Sequence, residues 1–121
     1  MKKKGHRADP SLKNLLAGAT KVVDLAPAVG TEIHGVQLSQ LTSAGLDELA
    51  LYAAQRGALV FRDQDFGDVG FDEQKRIVRH FGPLHVHGWA PHPAAGSAEH
   101  MIIYDHKECV FSFFLFLPRC L

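Results

Sequence analysis

Between Thr42 and Pro83 the chain carries two amphipathic segments, each stopped by a glycine, with the compact apolar run Ala58-Leu59-Val60-Phe61 between them. That punctuation restricts the fold to a mixed one, in which a short strand is held between two helices. Thr42-Ser43 offers an N-cap and Asp47 and Glu48 place negative charge in the first turn. Leu46, Leu49, Ala50 and Ala53 mark one helical face that ends near Gly57. Residues 58–61 are short and rich in strand formers, so they read as a buried strand ended by Arg62-Asp63-Gln64-Asp65. The second segment spans Phe71 to Phe81, with Phe71, Gln74, Ile77, Val78 and Phe81 along one side. Asp72 and Glu73 open it, Arg76 and Arg79 lie toward its end, and Gly82-Pro83 stops it. Phe81 reads as its last core contact and Gly82 as its C-cap.

Residues 1–19 read as a flexible basic N-terminal arm, opened by Lys2-Lys3-Lys4 and carrying a weak Leu12/Leu15/Leu16 pattern. Val22, Val23 and Leu25, then Ile33, Val36 and Leu38, predict two short strands joined by a turn that contains Pro27 and Gly30. Leu84–His87 and Met101–Tyr104 predict further strands around a loop over 88–99 rich in Pro, Gly and Ala. Four of the eight phenylalanines, Phe111, Phe113, Phe114 and Phe116, fall in an atypical apolar tail over 109–121. Without polar alternation, that run reads as a strand buried on both faces.

A length of 121 residues allows one modest domain. Thirteen basic residues against thirteen acidic ones remove the long-range field on which non-specific nucleic-acid binding depends. The most apolar stretch, Val110 to Leu117, has eight residues with Ser112 among them, whereas a membrane span needs roughly 20. Gly5 to Pro10 is polar where a signal peptide would be apolar. The two cysteines, Cys109 and Cys120, form neither a CxxC nor a CxxH spacing, which favours a reducing, cytoplasmic setting. Phosphoryl transfer, serine hydrolysis and zinc peptidase chemistry find no motif here.

Three stretches, taken in order, resemble one family: Ala26-Pro-Ala-Val-Gly-Thr-Glu-Ile-His-Gly-Val-Gln-Leu38, Gly57-Ala-Leu-Val-Phe-Arg-Asp-Gln64 and His80-Phe-Gly-Pro-Leu-His-Val-His87. They are similar to the N-terminal part of TauD/TfdA dioxygenases, in particular the fungal taurine or alkylsulfonate branch, over about residues 20–108. The resemblance implies an α+β chain that forms an incomplete double-stranded β-helix, or jelly roll, with two flanking helices. It also implies Fe(II) and 2-oxoglutarate as cofactors, the iron being held by two histidines and one carboxylate with positions left open for the co-substrate and oxygen. A small organic acid such as a sulfonate is the implied substrate, with neither nucleic acid nor membrane as a partner.

In the family the first iron ligands form an H-x-D pair located after the region of resemblance, and this chain contains no H-x-D. His106-Lys107-Glu108 satisfies H-x-(D/E) formally, but it comes earlier than the family pattern places the pair, and a polar turn is the favoured reading. His87 resembles a histidine that helps hold the substrate sulfonate in taurine-using members; an imidazole can donate to an anionic oxygen. The competing reading is a structural histidine at a sheet edge. The family's aromatic hydroxyl partner is replaced by Gly88-Trp89-Ala90, a departure that bears on taurine itself as substrate. His34, His80, His85, His92 and His100 read as structural or surface residues, and Arg62 and Asp63 as backbone anchors.

Two functional readings follow. The first is a dioxygenase that hydroxylates a small sulfonate so that an unstable product releases sulfite. The alternative is a truncated, non-catalytic relative that binds a partner or is a mispredicted gene product. An isolated incomplete sheet would also leave strand edges open to self-association. A pure histidine-based metal module is disfavoured, because the imidazoles are irregularly spaced.

Overall fold

The computed structural model of the chain describes residues 7–86, 88 and 97–100, together with the backbone of the strands 102–105, 109–112 and 119–120. The chain divides into two compact units, Met1–Phe81 and Gly82–Leu121.

In the first unit, β1 (Lys21–Asp24) pairs antiparallel with β2 (Thr31–His34), placing Val22 opposite Ile33 and Asp24 opposite Thr31. The helix α1 (Ser43–Arg56) then carries the chain across to β3 (Leu59–Phe61), which lies parallel to β2 with Ile33 opposite Phe61. A parallel pair needs such a crossover, because a tight turn can only reverse the chain. The sheet order is β1-β2-β3. Its central strand alternates: Thr31 and Ile33 are fully buried, whereas Glu32 and His34 on the other face are half-buried. β3 is only half-buried along its length, against the expectation of a buried strand, because it is an edge of the three-stranded sheet. β1 is exposed at all four residues.

β2 stops at His34, short of the alternation read as far as Leu38. Gly35 adopts a φ of 84° and comes so close to the Gly18 carbonyl oxygen that a Cβ would sit 2.7 Å from it. Leu38–Gln40 then forms a single 3-10 turn. α1 opens as its sequence predicts, with Thr42 Oγ1 accepting the Gly45 N–H at 3.2 Å, and closes on Gly57 at a φ of 71°. Asp47 and Glu48 lie beyond its first turn and meet other side chains and backbone instead of the helix terminus. Leu46, Ile33, Val36 and Ile77 form the core, with Leu12 and Leu15 of the N-terminal segment buried as well.

α2 runs Phe71–Arg79 and buries Gln74, Lys75 and Ile77. Phe71 and Phe81, read as core contacts, are 37% and 48% exposed. The helix closes at His80, whose N–H reaches the Ile77 carbonyl at 3.2 Å, so the chain leaves its axis before the Phe81 side chain can complete the apolar stripe. Gly82 is not its cap.

In the second unit, β4 (Ile102–Asp105), β5 (Cys109–Ser112) and β6 (Arg119–Cys120) form an antiparallel sheet with β5 in the middle. β4 matches the expected Met101–Tyr104 strand to within one residue. The strand expected over Leu84–His87 does not form at residues 84–86, and His87 lies outside the described residues. Pro83 opens that stretch without an N–H to donate to a ladder. Among the described residues no helix is long and apolar enough to cross a membrane.

Candidate functional site

The period of two along β2 puts Glu32 and His34 on one face of the sheet, opposite Ile33, and Arg62 reaches that face from the end of β3. Glu32 Oε1 lies 2.6 Å from His34 Nε2, and Arg62 Nη2 donates to Glu32 Oε2 at 2.8 Å. The Arg62 guanidinium first, and the His34 hydrogen bond second, hold the Glu32 carboxyl below its ordinary value, while Glu32 raises Arg62. A carboxylate engaged by two donors at once is a weakened base. The group therefore braces β2 against β3. Arg62 hydrogen-bonds Glu32 through Nη2, while neighbouring Asp63 adds only a through-space attraction.

The Arg62-Asp63-Gln64-Asp65 stretch is locked to residues 36–39. Gln64 Nε2 donates to the carbonyls of Val36 at 2.6 Å and Arg62 at 3.0 Å, and its Oε1 accepts the Leu38 N–H at 3.0 Å. Gln37 answers from the other side: its Nε2 donates to the Asp63 carbonyl at 2.7 Å and its Oε1 accepts the Asp65 N–H at 3.0 Å. Ser39 Oγ adds a donation to Asp65 Oδ1 at 2.7 Å. Asp63 holds a φ of 53°, which the two amides secure from both sides. Backbone anchoring in this motif comes from Gln64, whereas Arg62, read as a backbone anchor, pairs with the Glu32 carboxylate instead.

Arg56 plays the same part at the β1–β2 turn. Its Nε donates to Thr31 Oγ1 at 2.8 Å, and its Nη atoms donate to the carbonyls of Pro27, Ala26 and Gly30 at 3.1, 2.8 and 3.1 Å. At the far end of α2, His80 Nε2 lies 2.7 Å from Asp47 Oδ1, which joins α2 to α1, and its ring meets Phe81 edge-on with centroids 5.4 Å apart.

The histidines thus go to separate places. His34 and His80 each meet a carboxylate, His85 is exposed, and His100 is buried in the second unit with its N–H on the Ser97 carbonyl at 2.9 Å. His87, His92, His106 and Glu108 lie outside the described residues. Among the described residues no three His, Cys, Asp or Glu side chains converge on a point that could hold a metal ion. An iron site needs at least that many donors, so the described residues do not by themselves fit Fe(II). Sequence reasoning missed Arg56, Gln37 and Glu48 as anchors; the one available signal was that each is polar within an otherwise apolar or helix-forming context.

Residues 21–108 match the family described as Taurine catabolism dioxygenase TauD, TfdA family. An alpha-ketoglutarate-dependent dioxygenase of Penicillium expansum is 81% identical over 104 residues, which cover 86% of this chain and 28% of that protein. A second protein so named from the same fungus is 62% identical over 104 residues, 86% of this chain and 29% of its own length. An alpha-ketoglutarate-dependent sulfonate dioxygenase of Saccharomyces cerevisiae is 47% identical over 91 residues, covering 72% and 22%. The chain spans less than a third of the length of these relatives.

Proposed function

Because the chain belongs to the TauD/TfdA family of taurine catabolism dioxygenases, we propose that it serves an Fe(II)- and 2-oxoglutarate-dependent dioxygenase that acts on small organic acids, sulfonates foremost. The observation that carries this reading is the family match over residues 21–108, which takes in every anchor described above from Glu32 to His80. The sulfonate preference rests on the name of the yeast relative. Hydroxylation at the carbon that bears the sulfonate would give an unstable product that expels sulfite. We assign His87 to the sulfonate, as a donor to one of its anionic oxygens, and the jelly roll to the complete domain, of which the β1-β2-β3 sheet and its two helices form an early part. The residues described here contribute scaffold: they fix β2, β3 and the loop after β3 in place. The non-catalytic alternative is not favoured, since the relatives reported above carry dioxygenase names.

The test is a chimera. Residues 21–108 of this chain replace the matching segment of the Penicillium relative that is 81% identical, and the product is supplied with Fe(II), 2-oxoglutarate and a panel of alkylsulfonates. Sulfite release coupled to 2-oxoglutarate consumption supports the proposal, and His87→Ala in the chimera is expected to raise KM for the sulfonate with a smaller effect on kcat. A folded chimera that consumes no 2-oxoglutarate beside an active parent would overturn it.

A further inference from the structure

Cysteine occurs twice in the chain, at positions 109 and 120. The antiparallel pairing of β5 with β6 sets these two residues directly opposite each other, with Val110 opposite Arg119 as the next rung. Residues opposite one another in an antiparallel ladder have Cα atoms about 4.5 or about 5.5 Å apart, depending on whether the pair exchanges hydrogen bonds. Both separations fall within the roughly 4.4–6.8 Å that a disulfide spans. The juxtaposition depends on the register. A slip of one residue would set Cys109 against Arg119 or Leu121 and take the thiol-bearing positions off the same rung.

We propose that Cys109 and Cys120 are a redox-modification site and form a reversible cross-strand disulfide that clips β5 to β6. The chemistry is thiol–disulfide exchange with a small-molecule disulfide such as oxidised glutathione. One cysteine thiolate attacks a glutathione sulfur, forming a mixed disulfide and expelling one glutathione thiol. The second cysteine thiolate then attacks the protein sulfur of that mixed disulfide and expels the second glutathione thiol. Two protein thiols are oxidised by two electrons, one glutathione disulfide is reduced to two thiols, and the two thiol protons pass to solvent and the leaving groups. Excess reduced glutathione reverses the exchange.

The experiment equilibrates the 121-residue chain in glutathione buffers of graded ratio, quenches with acid, alkylates and digests with trypsin. Cleavage after Lys107 and Arg119 separates Glu108–Arg119 from Cys120–Leu121 unless a disulfide joins them. The expected product is that linked peptide, with a disulfide-forming equilibrium constant at least tenfold higher in native buffer than in urea, where the ladder is gone. Cys120→Ser is expected to abolish the linked product and leave Cys109 reactive to alkylation. Glutathione adducts alone, interchain dimers alone, or equal constants with and without urea would each overturn the proposal.

Discussion

Glu48 on α1 accepts the backbone N–H of Leu15 at 2.7 Å through a carboxylate in a residue that is 0% exposed. The same oxygen takes the Asn14 N–H at 2.8 Å, and Oε1 takes Asn14 Nδ2 at 2.6 Å. Three donors meet the demand of a charge removed from water. In return, two backbone N–H groups of the N-terminal segment find an acceptor, and Leu12 and Leu15 are held buried. Glu48→Ala leaves those donors unmatched and is expected to destabilise the chain by about 3 kcal/mol. Glu48→Gln, which keeps one acceptor oxygen, is expected to cost less. Urea denaturation checks the order, and amide exchange at Asn14 and Leu15 should quicken in both variants ahead of exchange at Ile33.

The amide of Gln64 is engaged at both ends, which allows its two jobs to be separated. Gln64→Leu removes the acceptor for Leu38 N–H and the donor to the Val36 carbonyl, an expected loss of about 1–2 kcal/mol. Gln64→Glu keeps the acceptor but sets a carboxylate oxygen against that carbonyl. Exchange at the Leu38 amide should therefore rise in the leucine variant and stay slow in the glutamate variant, although both are destabilised. Equal exchange in the two would mean that the Oε1 bond to Leu38 contributes nothing.

Why these anchors escaped a reading of the sequence is a matter of range. The α1 boundaries were legible because capping is local: Thr42 and Gly57 act within four residues of themselves. Glu48 near a helix start looks like a charge placed for the dipole, and nothing local shows that its partners lie 33 and 34 positions upstream. Gln37 and Gln64 find each other's loops across 26 and 28 positions. The strand expected at Leu84 failed for a related reason, since apolar pattern states which residues suit a ladder and not whether a partner strand stands beside them. The family was legible through ordered motifs, whereas its chemistry was not. His34 and His80 turned out to be committed to Glu32 and Asp47, and His87, the residue assigned to substrate, lies outside the described residues.

Asp9 gives a pH dependence with a definite sign. Its carboxylate accepts the Ser11 N–H at 2.9 Å and the Ser11 hydroxyl at 2.8 Å and pairs with Lys13 at 3.0 Å. The Ser11 backbone bond, then its side chain, then Lys13 lower the Asp9 pKa from 3.8 to about 2. A folded pKa below the unfolded one contributes stability that is full above 3.8 and is lost as pH falls toward 2. Glu32, lowered chiefly by Arg62, adds a loss of the same sign below its ordinary 4.5. Asp9 is partly exposed and Glu32 half-buried at a sheet face that meets water, so the effect is small and screened by salt. The stability difference between the parent and Asp9→Asn should be constant above pH 4 and shrink between 3.8 and 2. A difference that grows on acidification would contradict the assignment.

Gly35 and Gly57 both hold a positive φ, at 84° and 71°, yet alanine should not cost the same at the two sites. The conformation alone costs a non-glycine residue about 1–2 kcal/mol. At Gly57 the added Cβ would meet Val29 Cγ2 at 2.9 Å, the end of a side chain that is 52% exposed and free to turn away. At Gly35 it would meet the Gly18 carbonyl oxygen at 2.7 Å and the Thr20 backbone nitrogen at 3.0 Å. That backbone is tied down by the Thr20 N–H bond to the His34 carbonyl at 2.9 Å, so β1 cannot withdraw without losing the closing rung of the β1–β2 pair. Gly57→Ala is therefore expected to cost about 1–2 kcal/mol, and Gly35→Ala clearly more, with faster exchange at Thr20. Urea midpoints for the two variants measure the ranking, and an equal shift would show that β1 moves aside more freely than its hydrogen bond to His34 implies.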